Sequence, residues 1–269
     1  MSQTLELLKR GLAHQKQGDL SRAEQVFRQV LSTEPDNLHG LNLLGVVCVN
    51  AARPEEAVSL IERALTIRPQ DPQALCNYAL ALIALKRSNE AETALRQSLN
   101  LRRENPVALD GLANLYLDAG KLNEAEALYR EALRLNPQYP DCWCNLAAAL
   151  QAQKRLDEAL NASQQALNLQ PLNARFLYRK AEVLQSDARF LDAISYYKKA
   201  IEQQGDYLDA HIGLAHGYRQ TERPEAAMEI LDALLQQHDD GRIVYAKAVL
   251  LEQMGQLEEA AVVAQAAID

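Results

Sequence analysis

Cys142 and Cys144 stand two positions apart, and thiols that close in sequence could hold a metal or exchange a disulfide. On a helix, however, positions two apart do not face each other. No second thiol pair or neighbouring histidine completes a tetrahedral set around them. Cys142 is read as local packing and Cys144 as facing a channel. The other two thiols, Cys48 and Cys76, lie far away at spacings unlike a disulfide framework. The five histidines, His14, His39, His211, His216 and His238, are scattered. His14 and His211 fall in apolar-face slots, and His216 has no nucleophile beside it. The chain contains no HExxH pair, phosphate loop, dinucleotide fingerprint or nucleophile elbow. The reading is a non-enzyme, with no catalytic residue, no metal and no cofactor assigned.

What remains is the framework, and it is periodic. Leu7, Gly11 and His14 lead to Ala23, Phe27, Val30 and Pro35; 34 residues on, Leu41, Gly45 and Cys48 lead to Ala57, Ile61, Ala64 and Pro69. Self-similarity at such a period must be read before any local motif. The register gives repeats at 4–37, 38–71, 72–105, 106–139, 140–173, 174–207, 208–240 and 241–269, the last incomplete. All are read as one array over 4–269. Within each, apolar residues recur at i, i+3, i+4 and i+7, as in Leu109, Leu112, Ala113 and Tyr116, which marks one face of a helix. A turn follows, then a second helix that ends near a proline such as Pro35, Pro69, Pro137 or Pro171. Gly18, Gly120 and Gly255 share one turn slot and supply its backbone freedom. Repeats two, three, five and six have no glycine there, with Arg53, Arg87, Arg155 and Ala188 just after. Their turns are expected to close by another backbone route. Ala23, Ala57, Ala91, Ala125, Ala159, Ala193, Ala227 and Ala260 share a slot where two helices cross too closely for a branched side chain.

This pattern resembles the tetratricopeptide repeat. The W-x2-L-G-x2-Y…A-x3-F…P signature appears as Trp143-x2-Leu146-Ala147-x2-Leu150, then Ala159-x3-Ser163 and Pro171; repeat one gives Leu7-x2-Arg10-Gly11-x2-His14, Ala23-x3-Phe27 and Pro35. The resemblance covers 4–269 and implies an all-α fold, a right-handed superhelical solenoid of antiparallel helix pairs. It also implies that the first helices line a concave channel that receives a peptide or protein segment. Segments such as Gly18-Asp19-Leu20-Ser21-Arg22-Ala23-Glu24 and Leu43-Leu44-Gly45-Val46 look like the repeat arms of bacterial transferase-associated proteins of this kind. Asn77, Asn114 and Asn145 share that flavour without forming a regular ladder. A two-carboxylate clamp for acidic C-terminal tails would want a cation and an asparagine where this chain has Leu8 and Leu12.

In this register, positions 2, 5, 9 and 12 of each repeat face the channel. The early repeats place Leu5, Leu8 and Leu12, then Asn42, Val46 and Val49, then Leu80 and Ile83, then Asn114 and Leu117 there. That stretch reads as an apolar groove, or as a surface buried by curvature or another subunit. The later repeats place Arg175, Tyr178, His216, Arg219, Arg242 and Tyr245 there. These could hold a carboxylate or polar peptide, or form an internal ion-pair ladder with Glu182, Asp209 and Glu252.

Composition narrows the partners. The net charge is −8, with 28 Lys and Arg against 36 Asp and Glu and no long basic run, so nucleic acid is not expected. No apolar run approaches the roughly 20 residues that span a bilayer, and Met1-Ser2-Gln3-Thr4 lacks a signal-peptide core. A cytoplasmic, soluble protein is expected. The last helix, read from Leu257 to Ile268 with Ala260, Ala264 and Ala267 inward, has no cap after it. That predicts a following segment of a longer chain or self-association through an exposed end. The leading function is a protein-binding scaffold. The alternatives are the substrate-recognition arm of a glycosyltransferase- or sulfotransferase-type enzyme, and a self-assembly module.

Overall fold

The computed structural model describes residues 3–265. Every regular element among them is an α-helix, and the helices pair antiparallel through short turns. The chain divides into two compact units, residues 1–137 and 138–269. The N-terminal unit pairs α1 (Gln3–Lys16) with α2 (Leu20–Thr33), α3 (Leu38–Asn50) with α4 (Pro54–Ile67), α5 (Pro72–Ala84) with α6 (Ser88–Leu101), and α7 (Pro106–Asp118) with α8 (Leu122–Leu135). The C-terminal unit pairs α9 (Pro140–Ala152) with α10 (Leu156–Leu169), α11 (Ala174–Ser186) with α12 (Phe190–Gln203), α13 (Leu208–Gln220) with α14 (Pro224–Leu235), and α15 (Gly241–Gln253) with α16 (Leu257–Gln265). Each unit is an all-α solenoid of helix pairs.

The turn inside each pair is the same everywhere. Gly18, Gly120 and Gly255 have φ of 78°, 71° and 79°. Ala52, Lys86, Lys154, Ala188 and Glu222 occupy the equivalent positions with φ of 56°, 59°, 63°, 56° and 56°. The expectation of a different backbone route is therefore corrected: these residues adopt the left-handed conformation without being glycine. The reason is the closing hydrogen bond. The residue after the turn donates its N–H five residues back, as in Asp19 to His14 (3.0 Å), Arg53 to Cys48 (2.8 Å), Arg87 to Leu82 (2.9 Å) and Arg223 to Tyr218 (3.0 Å). Only a left-handed residue brings that N–H onto the orphan carbonyl at the helix end.

Five of the first helices begin at side-chain caps. Asn37, Asp71, Asn105, Asn173 and Asp240 each accept a backbone N–H of the helix that follows. Asp71 accepts two, from Gln73 at 2.9 Å and Ala74 at 3.0 Å, and Pro72 fills the first helical position. Asp71→Ala is expected to cost about 0.5–2 kcal/mol, read as faster hydrogen exchange at the α5 amides; unchanged exchange would contradict the cap's role.

The alanine slots are where the helices of a pair cross. Ala23, Ala57, Ala91, Ala125, Ala159 and Ala193 are wholly buried, and Ala227 and Ala260 nearly so. Larger side chains fill the space beside them: Phe27 and Ile61 are fully buried in the first two pairs, Tyr197 in the sixth. Successive first helices also touch one another: α1 meets α3, α3 meets α5 and α5 meets α7, as do α9 and α11, α11 and α13, and α13 and α15. At the far end Ala260 is buried but Ala264 is exposed, so the inward face expected of the last helix is narrower than its periodicity implied. Ala267 and Ile268 lie outside the described residues.

Candidate functional site

Side-by-side first helices divide the four channel positions into two kinds. Position 5 falls in the seam between neighbouring first helices. Leu8, Asn42, Cys76 and Asp110 occupy it in the N-terminal unit and are all buried. Leu8 and Asn42 therefore belong to the packing beneath the wall rather than to its open surface. Positions 9 and 12 lie on the open side. Leu12 and Leu80 are each 37% exposed, and Val46, Val49, Ile83, Asn114 and Leu117 are half-buried. Leu5, at position 2, is also exposed. The open side is thus mainly apolar across α1, α3 and α5, with Gln15 sharing it on α1, and becomes more mixed at α7. There Asn114 accepts a hydrogen bond from the buried Tyr129 hydroxyl at 2.6 Å, which fixes its amide as part of the wall.

The C-terminal unit holds its polar residues differently. Arg175 donates to Asp141 at 2.8 Å and to Asn145 at 2.5 Å. Arg242 donates to Asp209 at 2.5 Å and to Asp240 at 2.7 Å. Both arginines stand at position 2, and each reaches an aspartate at position 2 of the preceding repeat. Of the acidic partners expected, Asp209 pairs with Arg242, whereas Glu182 pairs with Arg179 and Arg175 takes Asp141. The Arg242 guanidinium holds the Asp240 carboxyl down to about 2, the side-chain hydrogen bond being the main cause. Tyr178 donates to Glu182 at 2.8 Å, and its ring packs on those of Tyr207 (5.0 Å between centroids) and Tyr197 (5.9 Å). Burial first, and the Glu182 charge second, push the Tyr178 hydroxyl well above the usual tyrosine range. It is a packed, neutral side chain.

Cys144 is fully buried, which corrects its assignment to the channel face. It occupies position 5, the seam, and burial pushes its thiol up. Its polar neighbour there is Arg179, whose guanidinium also donates to Glu182 at 2.7 Å. Sequence reading passed over Arg179, because position 6 carries no charge in most repeats. The four cysteines are free and buried. Among the described residues, no group of three His, Cys, Asp or Glu side chains could hold a metal ion.

His216, Arg219, Arg242 and Tyr245 do come together. They line one cavity of about 580 Å³ between α13, α14 and α15. Its walls are mainly apolar, with small residues, Ala215, Ala227 and Ala246, among them; at the position of Ala246 repeat six has Arg179. Arg219 donates to the neutral Gln253 amide at 2.9 Å. The His216 ring lies edge-on to Phe190 at 6.2 Å, and its buried Nδ1 has no hydrogen-bond partner within the protein. Burial, then the Arg219 charge, lowers the His216 pKa, so the ring is neutral at pH 7. Tyr245 stands 73% exposed at the cavity mouth.

Repeated antiparallel pairs, a left-handed turn in each and an alanine at each crossing define an α-helical repeat scaffold. Residues 1–140 match the family model described as "Cytochrome c-type biogenesis protein H TPR domain", and residues 116–183 and 184–250 match a tetratricopeptide repeat model. The chain belongs to the tetratricopeptide repeat family. Among solved structures, it is similar to a chain of the APC/C hetero-tetramer Cut9–Hcn1, with 17% identity and a TM-score of 0.80 over 97% of this chain and 52% of that one. It thus spans about half the length of that relative. It is also similar to Pseudomonas aeruginosa pilF, with 22% identity and a TM-score of 0.60 over 77% of this chain and 94% of that one. A thermophilic TPR protein of Thermus thermophilus shows 26% identity and a TM-score of 0.61 over 67% of this chain and 98% of that one. A comparison with curated proteins finds no match. No helix among the described residues is long and apolar enough to cross a membrane.

Proposed function

We propose that the scaffold binds a peptide or protein segment along the open faces of its first helices, with Leu12, Val46, Val49, Leu80, Ile83 and Leu117 as the apolar contacts. The observation that carries this reading is the partial exposure of Leu12 and Leu80 at the same repeat position on α1 and α5, with half-buried Val46 between them on α3. Aliphatic side chains aligned on adjacent elements mark a surface built to be covered. Each fully covered anchor contributes about 1.5–3 kcal/mol. The net charge of −8 argues against nucleic acid as that partner. The four buried free thiols suit a reducing, cytoplasmic setting. The match of residues 1–140 to a cytochrome c-type biogenesis TPR domain favours an assembly partner over a transferase domain as the scaffold's context.

The test is a display selection of random dodecapeptides on the intact chain. It is followed by affinity measurement of the selected peptides on Leu12→Glu and Leu80→Glu, whose folding is checked by circular dichroism. Each change is expected to weaken binding about tenfold or more. Unaltered affinity in both variants would contradict the proposed wall. A second reading, self-association, is supported by Leu257 (67% exposed) and Val262 (71% exposed) on α16. It predicts a solution mass above 29.9 kDa that Val262→Lys returns to monomer. A monomer across all concentrations would dismiss it.

A further inference from the structure

The cavity between α13, α14 and α15 differs from the seams around it. In repeat six, position 5 is Tyr178, packed on Tyr197 and Tyr207, and position 6 is Arg179, directed at Cys144 and Glu182. In repeat eight, position 5 is Tyr245, turned out to solvent, and position 6 is Ala246. The bulk that fills the earlier seam is missing from the later one, and a space of about 580 Å³ remains. That volume lies in the range of ligand pockets and exceeds any single side chain. Its polar groups have one character. Arg242 is held by Asp209 and Asp240. Arg219, on the other wall, donates to the neutral Gln253 oxygen, and the rest of its five-donor guanidinium suits an anion. His216 beside it has a buried nitrogen with no internal partner.

We propose that this cavity is an anchor site for the bound segment. It takes a large apolar side chain, and an aspartate or glutamate next to that side chain in the segment pairs its carboxylate with Arg219. This rests on the reading that the first-helix faces receive a protein segment, and it adds a sequence preference to it. The apolar group fills the space bounded by Ala215, Ala227 and Ala246. Tyr245, exposed at the mouth, closes over the segment with large area and few rotors to order. A guanidinium facing a carboxylate at the rim of an apolar site makes a charge-assisted pair stronger than a neutral hydrogen bond.

The experiment is the random dodecapeptide selection run on the intact chain and on three variants. Ala246→Phe fills the cavity, Arg219→Gln removes the cation, and Leu80→Glu marks the apolar wall of the N-terminal unit. Wild type is expected to enrich peptides carrying an aromatic or large aliphatic residue beside an acidic one. Those peptides should bind Ala246→Phe and Arg219→Gln about tenfold more weakly or worse. Enrichment without the acidic neighbour, or peptides that bind both variants as well as wild type, would overturn the anchor site. If such peptides still lose affinity on Leu80→Glu, the wall reading stands alone. No enrichment by the correctly folded wild type would overturn both. Arg219 is half-exposed on a helix face, so Arg219→Gln keeps the test decisive even if Ala246→Phe does not fold.

Discussion

Phe27→Ala is expected to destabilise the first helix pair by about 3–5 kcal/mol, and to reverse the sign of a second substitution at Gly11. Phe27 is fully buried in α2 beneath α1. A Cβ at Gly11 would lie 2.4 Å from one ring carbon of Phe27 and within 2.9 Å of two more. Glycine stands there because the ring occupies the volume a methyl group would need. In the parent chain, Gly11→Ala therefore forces a buried aromatic side chain to move, at a cost of about 1–3 kcal/mol. In the Phe27→Ala background the obstacle is gone. The same substitution should then stabilise, because alanine in a helix interior is favoured over glycine by about 1 kcal/mol. Stability in a stacked repeat is largely a sum of local and neighbour contributions, so the readout is hydrogen exchange at the α1 and α2 amides. An unchanged sign of Gly11→Ala in the two backgrounds would contradict the packing described here.

The second large effect comes from the turns. Ala52, Lys86, Lys154, Ala188 and Glu222 hold left-handed backbone at exposed positions. An L-residue in that conformation costs roughly 1–2 kcal/mol, and glycine avoids this while losing about 0.4–1 kcal/mol through greater freedom of the unfolded chain. Replacing all five with glycine is therefore expected to stabilise the chain, by about 0.5–1 kcal/mol at each site from those two opposing terms. Their separation along the array makes the gains close to additive. The combined variant should show a clearly higher thermal midpoint and slower amide exchange at the ends of α3, α5, α9, α11 and α13. A fall in stability would mean that these side chains contribute contacts the turn geometry does not reveal.

The helix pairs were legible because three independent signals repeat at one period: the small residue at the crossing, the apolar face and the terminating proline. Ala125 alone says little; Ala125 in register with Ala91 and Ala57 says that two helices cross there. The turn conformation was legible only where glycine announces it. Lys86 and Glu222 adopt the same backbone, but neither type advertises a left-handed φ, and the hydrogen bond that fixes it lies within the preceding helix. Among the channel residues, Leu12 and Leu80 show partial exposure, as their register implies. Leu8, Asn42 and Cys144 do not, because position 5 is covered by the neighbouring first helix, a contact between repeats that the face of a single helix does not display. Of the ion pairs, only that of Arg242 with Asp209 joins residues the sequence puts together; Arg175 turns to Asp141, and Glu182 to Arg179, because the contact runs along the seam between first helices. The cavity beside Arg219 was not. It depends on Ala246 standing where repeat six has Arg179, and on Tyr245 turning outward, neither of which a periodic pattern encodes.

The account rests on the open faces of the first helices being the surface that meets a partner. Hydrogen exchange on the intact chain, with and without a saturating display-selected dodecapeptide, tests this most directly. The expected result is slower exchange along α1, α3, α5 and α7, centred on the turns of helix carrying Leu12, Val46, Leu80 and Leu117, with α2, α4, α6 and α8 unchanged; a peptide that also fills the cavity slows α13 to α15. Slower exchange confined to α2, α4, α6 and α8 would place the partner on the opposite surface and contradict the account.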